Sequence, residues 1–402
     1  MDRRVYWIWL QHAFGAGSAK PFSIYKRFRG GVEEFHDGGP SLWNALQFVS
    51  EKEARMLSAF SLEEAALLLE MSERMQFTVL TPECEKYPEL LRNIFDPPAV
   101  LYCKGELPDV DHRLSIAVVG TRKAGEEAVS AAITFGYQLA ISHAVVVSGI
   151  ALGVDSAAHK GAHRGMGPSV CVLPCGLANG YLVENFALRN RIAERGALVT
   201  EYPMDTGVTK GTFQVRNRLM AGLSHGTLVI EAPKKSGALI TAKHAKDQNR
   251  DVFVFPGSGG PAYAGGMALI DDGAKPVKDA YGILEEYELR FSNAFLEQAG
   301  LPPEERAPRT RQAAVMTEPE REAPPADGEM LSTEARTVAQ SLQQGECHIT
   351  SLEERTGLTP NALLAALTER ELEGPIPSLP GQRSRVQVDP SNKYNPLFFV
   401  MV

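Results

Sequence analysis

Between residues 114 and 287, six apolar runs recur at 115–120, 145–149, 169–174, 197–201, 227–232 and 252–256. They read SIAVVG, VVVSG, SVCVLP, ALVTE, TLVIEA and VFVFP, with hydrophobic residues in succession rather than in alternation. A strand with one wet face alternates; a strand apolar on both faces must be covered on both. The intervals hold helical stretches, among them 126–141, 184–194 and 238–248. Buried strands interleaved with helices predict an α/β fold, a Rossmann-like doubly wound parallel sheet.

The flanks read differently. Residues 1–80 predict short helices, with apolar positions at helical spacing in Leu46, Val49 and Leu57 and again in Ala65, Leu68 and Leu69. Turn signals fall at Gly30-Gly31 and Gly38-Gly39-Pro40. Residues 81–113 form a bridge containing a strand-like AVLYCKG, so the sheet domain is expected over 81–290. Residues 291–328 are rich in Pro, Glu and Arg and read as a flexible linker. Residues 329–402 read as a winged-helix module. Helices are expected at 332–342 and 351–355, and a third is expected to open with Thr359 as N-cap and Pro360 at its first position.

The formal net charge is −8, which by itself argues against binding a polyanion. The five cysteines, Cys84, Cys103, Cys171, Cys175 and Cys347, include no CxxC pair. They predict a reducing, cytoplasmic setting and no structural zinc. No run of eighteen apolar residues marks a membrane span, and the opening MDRRVYWIWLQHAFG does not read as a secretory signal. His159 and His163 sit four apart, but no glutamate or third ligand accompanies them, so no metal is expected.

The chemistry concentrates at strand ends. The first run turns through Gly120 into TRKAGEE, where a backbone can approach an anion, helix-start N–H groups can face it and Arg122 offers a planar fork. A solvated arginine on a tight turn is the plain alternative. No GxGxxG is present, so no dinucleotide cofactor is indicated. The second run leads through Ser148-Gly149 to Asp155, read as the N-cap of the next helix. Between 205 and 250 the charge reverses: Lys210, Arg216, Arg218, Lys234, Lys235, Lys243, Lys246 and Arg250 face only Asp205, Glu231 and Asp247. Lys210 and Phe213 are placed in a glycine-containing loop before the helix bearing Arg216 and Arg218. An aromatic beside cations suits a single-strand site, in which the ring stacks a base and the cations hold phosphates. A solvated helix face anchored by Phe213 has the same composition.

From Tyr87 to about Ala274 the chain resembles the DNA-processing protein A family, also called Smf. The resemblance lies in YPELLRNIFDPPAVLYCKG, SIAVVGTR, VVSGIALGVDSAAHKGAH, CGLANGYLVEN, TEYP, FQVRNRLMAGLS, VIEAPKKSGALITAKHAKDQNRDVFVFPG and LIDDGA. It implies a SAM-like N-terminal domain and a C-terminal winged helix. It further implies binding of single-stranded DNA, loading of the RecA recombinase, a role in natural transformation, homodimers and no catalytic turnover. Arg122 falls on the family's phosphate-contacting arginine, and Lys210 and Phe213 on its strand-contacting pair. Arg216 and Arg218 fall in its RNR element. Ser148, Gly149, Asp155, Ser236 and Gly237 are expected to shape the pocket's turns. Gln214, Ala178, Asn249, Ala128 and Met267 depart from the family pattern.

Two other readings bear weighing. Rossmann-like phosphoribohydrolases carry PGGxGTxxE, but here PGSGGPAYAGG lacks both the Gly-Thr turn and the glutamate. A winged-helix transcription factor would place DNA binding in 329–402. The expected recognition helix, PNALLAALTEREL, carries Glu369 and Glu371 against Arg370, and the expected wing carries Gln382, Arg383 and Arg385. That balance favours a protein-contact or regulatory role for the module.

Overall fold

The computed structural model describes residues 1–291, residues 337 and 355–358, and the backbone of 384–388 and 397–401. The expected linker and the three C-terminal helices lie almost entirely outside the described residues. The chain divides into two compact units, 1–181 with 189–296, and 182–188 with 297–402. In the second, the described strands Ser384–Val388 and Leu397–Met401 pair antiparallel.

The N-terminal region is six helices: α1 Arg3–Phe14, α2 Lys20–Arg27, α3 Val32–Asp37, α4 Gly39–Ala45, α5 Glu51–Ala59 and α6 Leu62–Arg74. α1 is the centre of this region, burying Val5, Trp7, Ile8, Trp9 and Leu10. The tryptophan N–H groups are satisfied: Trp9 donates to the Leu57 carbonyl at 3.0 Å and Trp43 to the Phe35 carbonyl at 2.7 Å. Reciprocal capping boxes, Ser50 with Glu53 and Ser61 with Glu64, start α5 and α6.

A nine-stranded sheet follows: β1 Thr78–Leu80, β2 Leu101–Gly105, β3 Ser115–Val119, β4 Val145–Ser148, β5 Ser169–Val172, β6 Ala197–Thr200, β7 Gly226–Val229, β8 Asp251–Val254 and β9 Lys275–Pro276. Its order is β1-β2-β6-β5-β4-β3-β7-β8-β9. All six expected strands pair parallel, within three residues of their expected ends. β2 joins β6 antiparallel, and β1 joins β2 antiparallel. The helices are α7 Glu89–Arg92, α8 Glu126–Ile141, α9 Val154–Arg164, α10 Phe186–Arg195, α11 Lys210–Gly222, α12 Ala238–Asp247, α13 Ala264–Asp271 and α14 Tyr281–Leu284.

Both faces of the sheet are apolar and covered, as the unalternated runs require. Val119, Val145 and Val147 point to one core with Leu219, Met220 and Ala242 of α11 and α12. Ile116, Val118 and Val146 point to the other, with Phe135 and Leu139 of α8 and Ala158 of α9. The chain winds outward from β3 through β4, β5 and β6, then returns to β7 on the other side of β3. β3 and β7 therefore flank the topological switch point, where the loops at the strands' carboxyl ends splay apart and leave a crevice.

Candidate nucleic-acid interface

The crevice is present, with a volume of about 600 Å³. One wall is the loop 120–123 after β3; another is the loop 233–237 after β7 and the start of α12; the third is the first half of α11. Its lining holds five cations, Arg122, Lys123, Lys210, Arg216 and Lys235, against one carboxylate, Asp155. The acidic chain thus concentrates positive charge at its switch point, which focuses field on an entering anion. Ser236 and Gly237 also line the crevice, and Gly237 caps α12, so that helix's N-terminus opens on it.

Close approach explains the glycines. A Cβ on Gly120 would collide with Val154 at the start of α9, and one on Gly149 would collide with the Arg216 guanidinium and the Asp155 carboxylate. Ser148 is buried and ties β4 to β3 by donating its hydroxyl to the Val118 carbonyl at 2.6 Å.

Arg122, Lys123, Lys210 and Lys235 are exposed at the rim, whereas Arg216 and Asp155 are buried at the floor. Arg216 donates from Nη1 to the Val172 carbonyl at 2.7 Å. Phe213 lies between floor and rim. The Arg122 guanidinium carbon sits 4.5 Å from the Phe213 ring centroid, and the Tyr181 ring meets Phe213 edge-on at 5.7 Å. Cation and aromatic therefore form one unit, with phosphate-binding and stacking groups side by side.

Four sequence expectations need correction. Lys210 and Phe213 are not in a loop: α11 begins at Lys210, with Thr209 as N-cap bonded to Thr212. Asp155 is not an N-cap: Gly153 holds that position, and Asp155 is buried in the first turn of α9. The start of α8 is not wholly free for a ligand, because the N–H of its N-cap, Gly125, donates to Glu231 Oε2 at 2.9 Å. Arg218 does not line the crevice. It is buried on the opposite side of α11, bonded to Glu201 at 2.7 Å and facing Asp96 at 3.1 Å. Among the described residues no cluster of three metal-ligating side chains occurs, and no helix is long and apolar enough to cross a membrane.

Sequence reasoning passed over Tyr181 and Lys123, and counted Lys235 and the brace Glu231 only in the local charge balance. Lys123 and Lys235 had a usable signal, since both follow strands that flank the switch point. The PGSGGPAYAGG turn is fastened to α8: Ser258 and Tyr263 both hydrogen-bond Glu127, at 2.7 and 2.8 Å.

Burial pushes the Asp155 carboxyl up to about 6, against the pull of Arg216 and Arg122 and of the backbone at Ala151 and Gly149. The folded protein holds this proton to about pH 6, while an ordinary aspartate releases it near 3.8. The folded state binds more protons between those values, so this group's contribution to stability falls as pH rises across that window. The loss is roughly 3 kcal/mol. Buried His159, its pKa lowered to about 4 by desolvation, titrates with the opposite sign. The difference between wild type and Asp155→Asn in denaturant unfolding isolates the aspartate. Wild type should lose stability relative to the variant from pH 4 to 7, and a flat difference would show Asp155 to be ionised throughout.

A family profile described as DNA recombination-mediator protein A matches residues 78–288, and one described as the DprA winged helix domain matches 320–382. The chain is 33% identical over 337 residues to Protein Smf of Synechocystis, covering 78% of this chain and 81% of that protein. It is 37% identical over 203 residues to DNA processing protein DprA of Bacillus subtilis, covering 50% of this chain and 68% of that one. The X-ray structure of DprA from Streptococcus pneumoniae superposes with a TM-score of 0.61 at 27% identity, over 69% of this chain and 95% of that one.

Proposed function

The chain belongs to the DNA recombination-mediator protein A family, also called DprA or Smf, and from that membership we propose that its crevice grips single-stranded DNA. The observation that carries this reading is the Arg122–Phe213 pair, with four further cations lining the same crevice at the carboxyl end of the sheet. Exposed guanidinium and ammonium groups hold successive phosphates, and the half-buried Phe213 ring offers a face to an unpaired base. Bases in a duplex are already stacked on their neighbours, so the ring gains nothing from double-stranded DNA.

The protein acts on the strand by holding it. The family resemblance, which implies no catalytic turnover, supports this. The family's description as a recombination mediator supports delivery of the bound strand to the RecA recombinase. The family resemblance supports a homodimer as the working form and natural transformation as a setting. The winged helix serves in regulation or protein contact.

An electrophoretic shift series with single- and double-stranded oligonucleotides of one sequence, each at two salt concentrations, tests the reading. Single strands should bind tighter, and affinity should fall steeply with salt. Equal affinity for both forms would remove the stacking role of Phe213.

A further inference from the structure

The first thirty residues hold a charge pattern that the crevice does not use. From Arg3 to Val32 the chain carries six cations, Arg3, Arg4, Lys20, Lys26, Arg27 and Arg29, and no acidic residue. Three are committed. Arg3 pairs with Glu33 and Glu83, Arg4 with Asp2 and Glu73, and Lys20 with Glu53. Lys26, Arg27 and Arg29, around the C-terminal end of α2, are exposed and have no ion-pair partner among the described residues. Two of them ride on aromatic rings: Lys26 Nζ lies 4.5 Å from the Phe22 centroid, and the Arg27 guanidinium 5.8 Å from that of Phe48.

The topology sets this patch on the same rim as the crevice. β1 and β6 both run antiparallel to β2, so β1 ends on the rim where β6 ends. Glu83, just past β1, binds Arg3 and Trp7 of α1. Glu201, just past β6, accepts the Gly17 N–H from the turn after α1. α1 is therefore laid along the carboxyl rim, about 18 Å long at 1.5 Å per residue. Its far end abuts α11, since a Cβ on Gly17 would reach Val215 at 3.0 Å. α2 returns along it and brings Gly30 back to Arg3.

We propose that Lys26, Arg27 and Arg29 form a second contact for single-stranded nucleic acid, engaging the sugar–phosphate backbone of a strand that leaves the crevice past α11 and crosses the N-terminal helices. The inference rests on the crevice as the primary single-strand site. Unpaired cations interleaved with aromatics in an acidic protein match the chemistry of a tracking surface, in which phosphates take the charges and bases lean on the rings. The surface is reached only by a strand long enough to span the rim.

The test compares oligothymidylates of about 6 and about 25 nucleotides, chosen to fill the crevice alone or to extend beyond it. Binding is followed by fluorescence anisotropy between about 50 and 200 mM salt. The full-length protein is used with Lys26→Gln, Arg27→Gln and Arg29→Gln combined. For the longer strand the logarithmic salt slope should shrink by about 2, as three lost phosphate contacts require, and affinity at the lower salt should drop tenfold or more. For the shorter strand neither quantity should change. Arg27→Gln alone should give about a third of the slope change. An unchanged longer strand overturns the second contact and leaves the patch to an acidic protein partner. Equal losses for both lengths also overturn it, since they report a general field. Arg122→Ala with Lys210→Ala should weaken both lengths, and failure of that control sinks the crevice reading separately.

Discussion

Replacing Arg122 and Lys210 together with alanine should lower affinity for single-stranded oligonucleotides tenfold or more while leaving the melting temperature within a degree or two of wild type. Both side chains are exposed at the rim and line the crevice. Neither has an ion-pair partner among the described residues, so removing them breaks no ion pair and costs only the exposed cation–π contact of Arg122 with Phe213. Each holds its phosphate by a charge-assisted hydrogen bond, the stronger kind. Two lost contacts should also reduce the logarithmic salt slope by about 1.4 for a single strand. The slope separates the claim from general weakening, since a misfolded fraction lowers apparent affinity without flattening it. Unaltered affinity and slope in the folded double variant would take Arg122 and Lys210 out of the site.

Arg218→Met should behave in the opposite way. Arg218 is 2% exposed, and so is its partner Glu201, whose carboxyl is raised above its usual value by burial despite the neighbouring guanidinium. Removing the arginine leaves Glu201 buried with its cation gone, and loss of one member of such a pair costs about 3–5 kcal/mol. Denaturant unfolding should show that loss, with the slope m unchanged. Oligonucleotide affinity, measured well below the melting temperature, should stay within about threefold of wild type, as expected for a residue outside the interface. Adding Glu201→Gln should restore part of the stability, because the orphaned charge then disappears. A variant of normal stability and collapsed affinity would return Arg218 to the crevice.

The contrast between Arg216 and Arg218 shows what the sequence could yield. In a helix, successive residues turn by about 100°, so positions two apart face nearly opposite ways. Once the RNR segment is helical, only one of its arginines can face the crevice; the other must point into the N-terminal helices, where Glu201 meets it. That was legible, and taking the two arginines as one cluster obscured it. The start of α11 was legible too: Thr209 with Thr212 three positions on is a capping pattern, but Gly211 suggested a loop.

The six parallel strands were readable because burial on both faces leaves a pattern within each strand. The edges were not. β1 has three residues and β9 two, one of them Pro276, too short to carry a period. The AVLYCKG segment announces a strand, but its antiparallel pairing with β6 is a property of the path between elements. Glu231 is a similar case. Its hold on Gly125 spans 106 positions and exists only because β7 returns beside β3.

The central claim, that an unpaired strand lies against Arg122 and Phe213 at the sheet's carboxyl rim, is tested most directly by photo-crosslinking. Oligonucleotides carrying 5-iododeoxyuridine, irradiated in complex with the full-length protein and mapped by mass spectrometry, report which side chains touch the bases. The account predicts adducts at Phe213 or Tyr181, lost when excess unlabelled single strand competes. Adducts confined to residues 329–402, with none in the crevice, would contradict it.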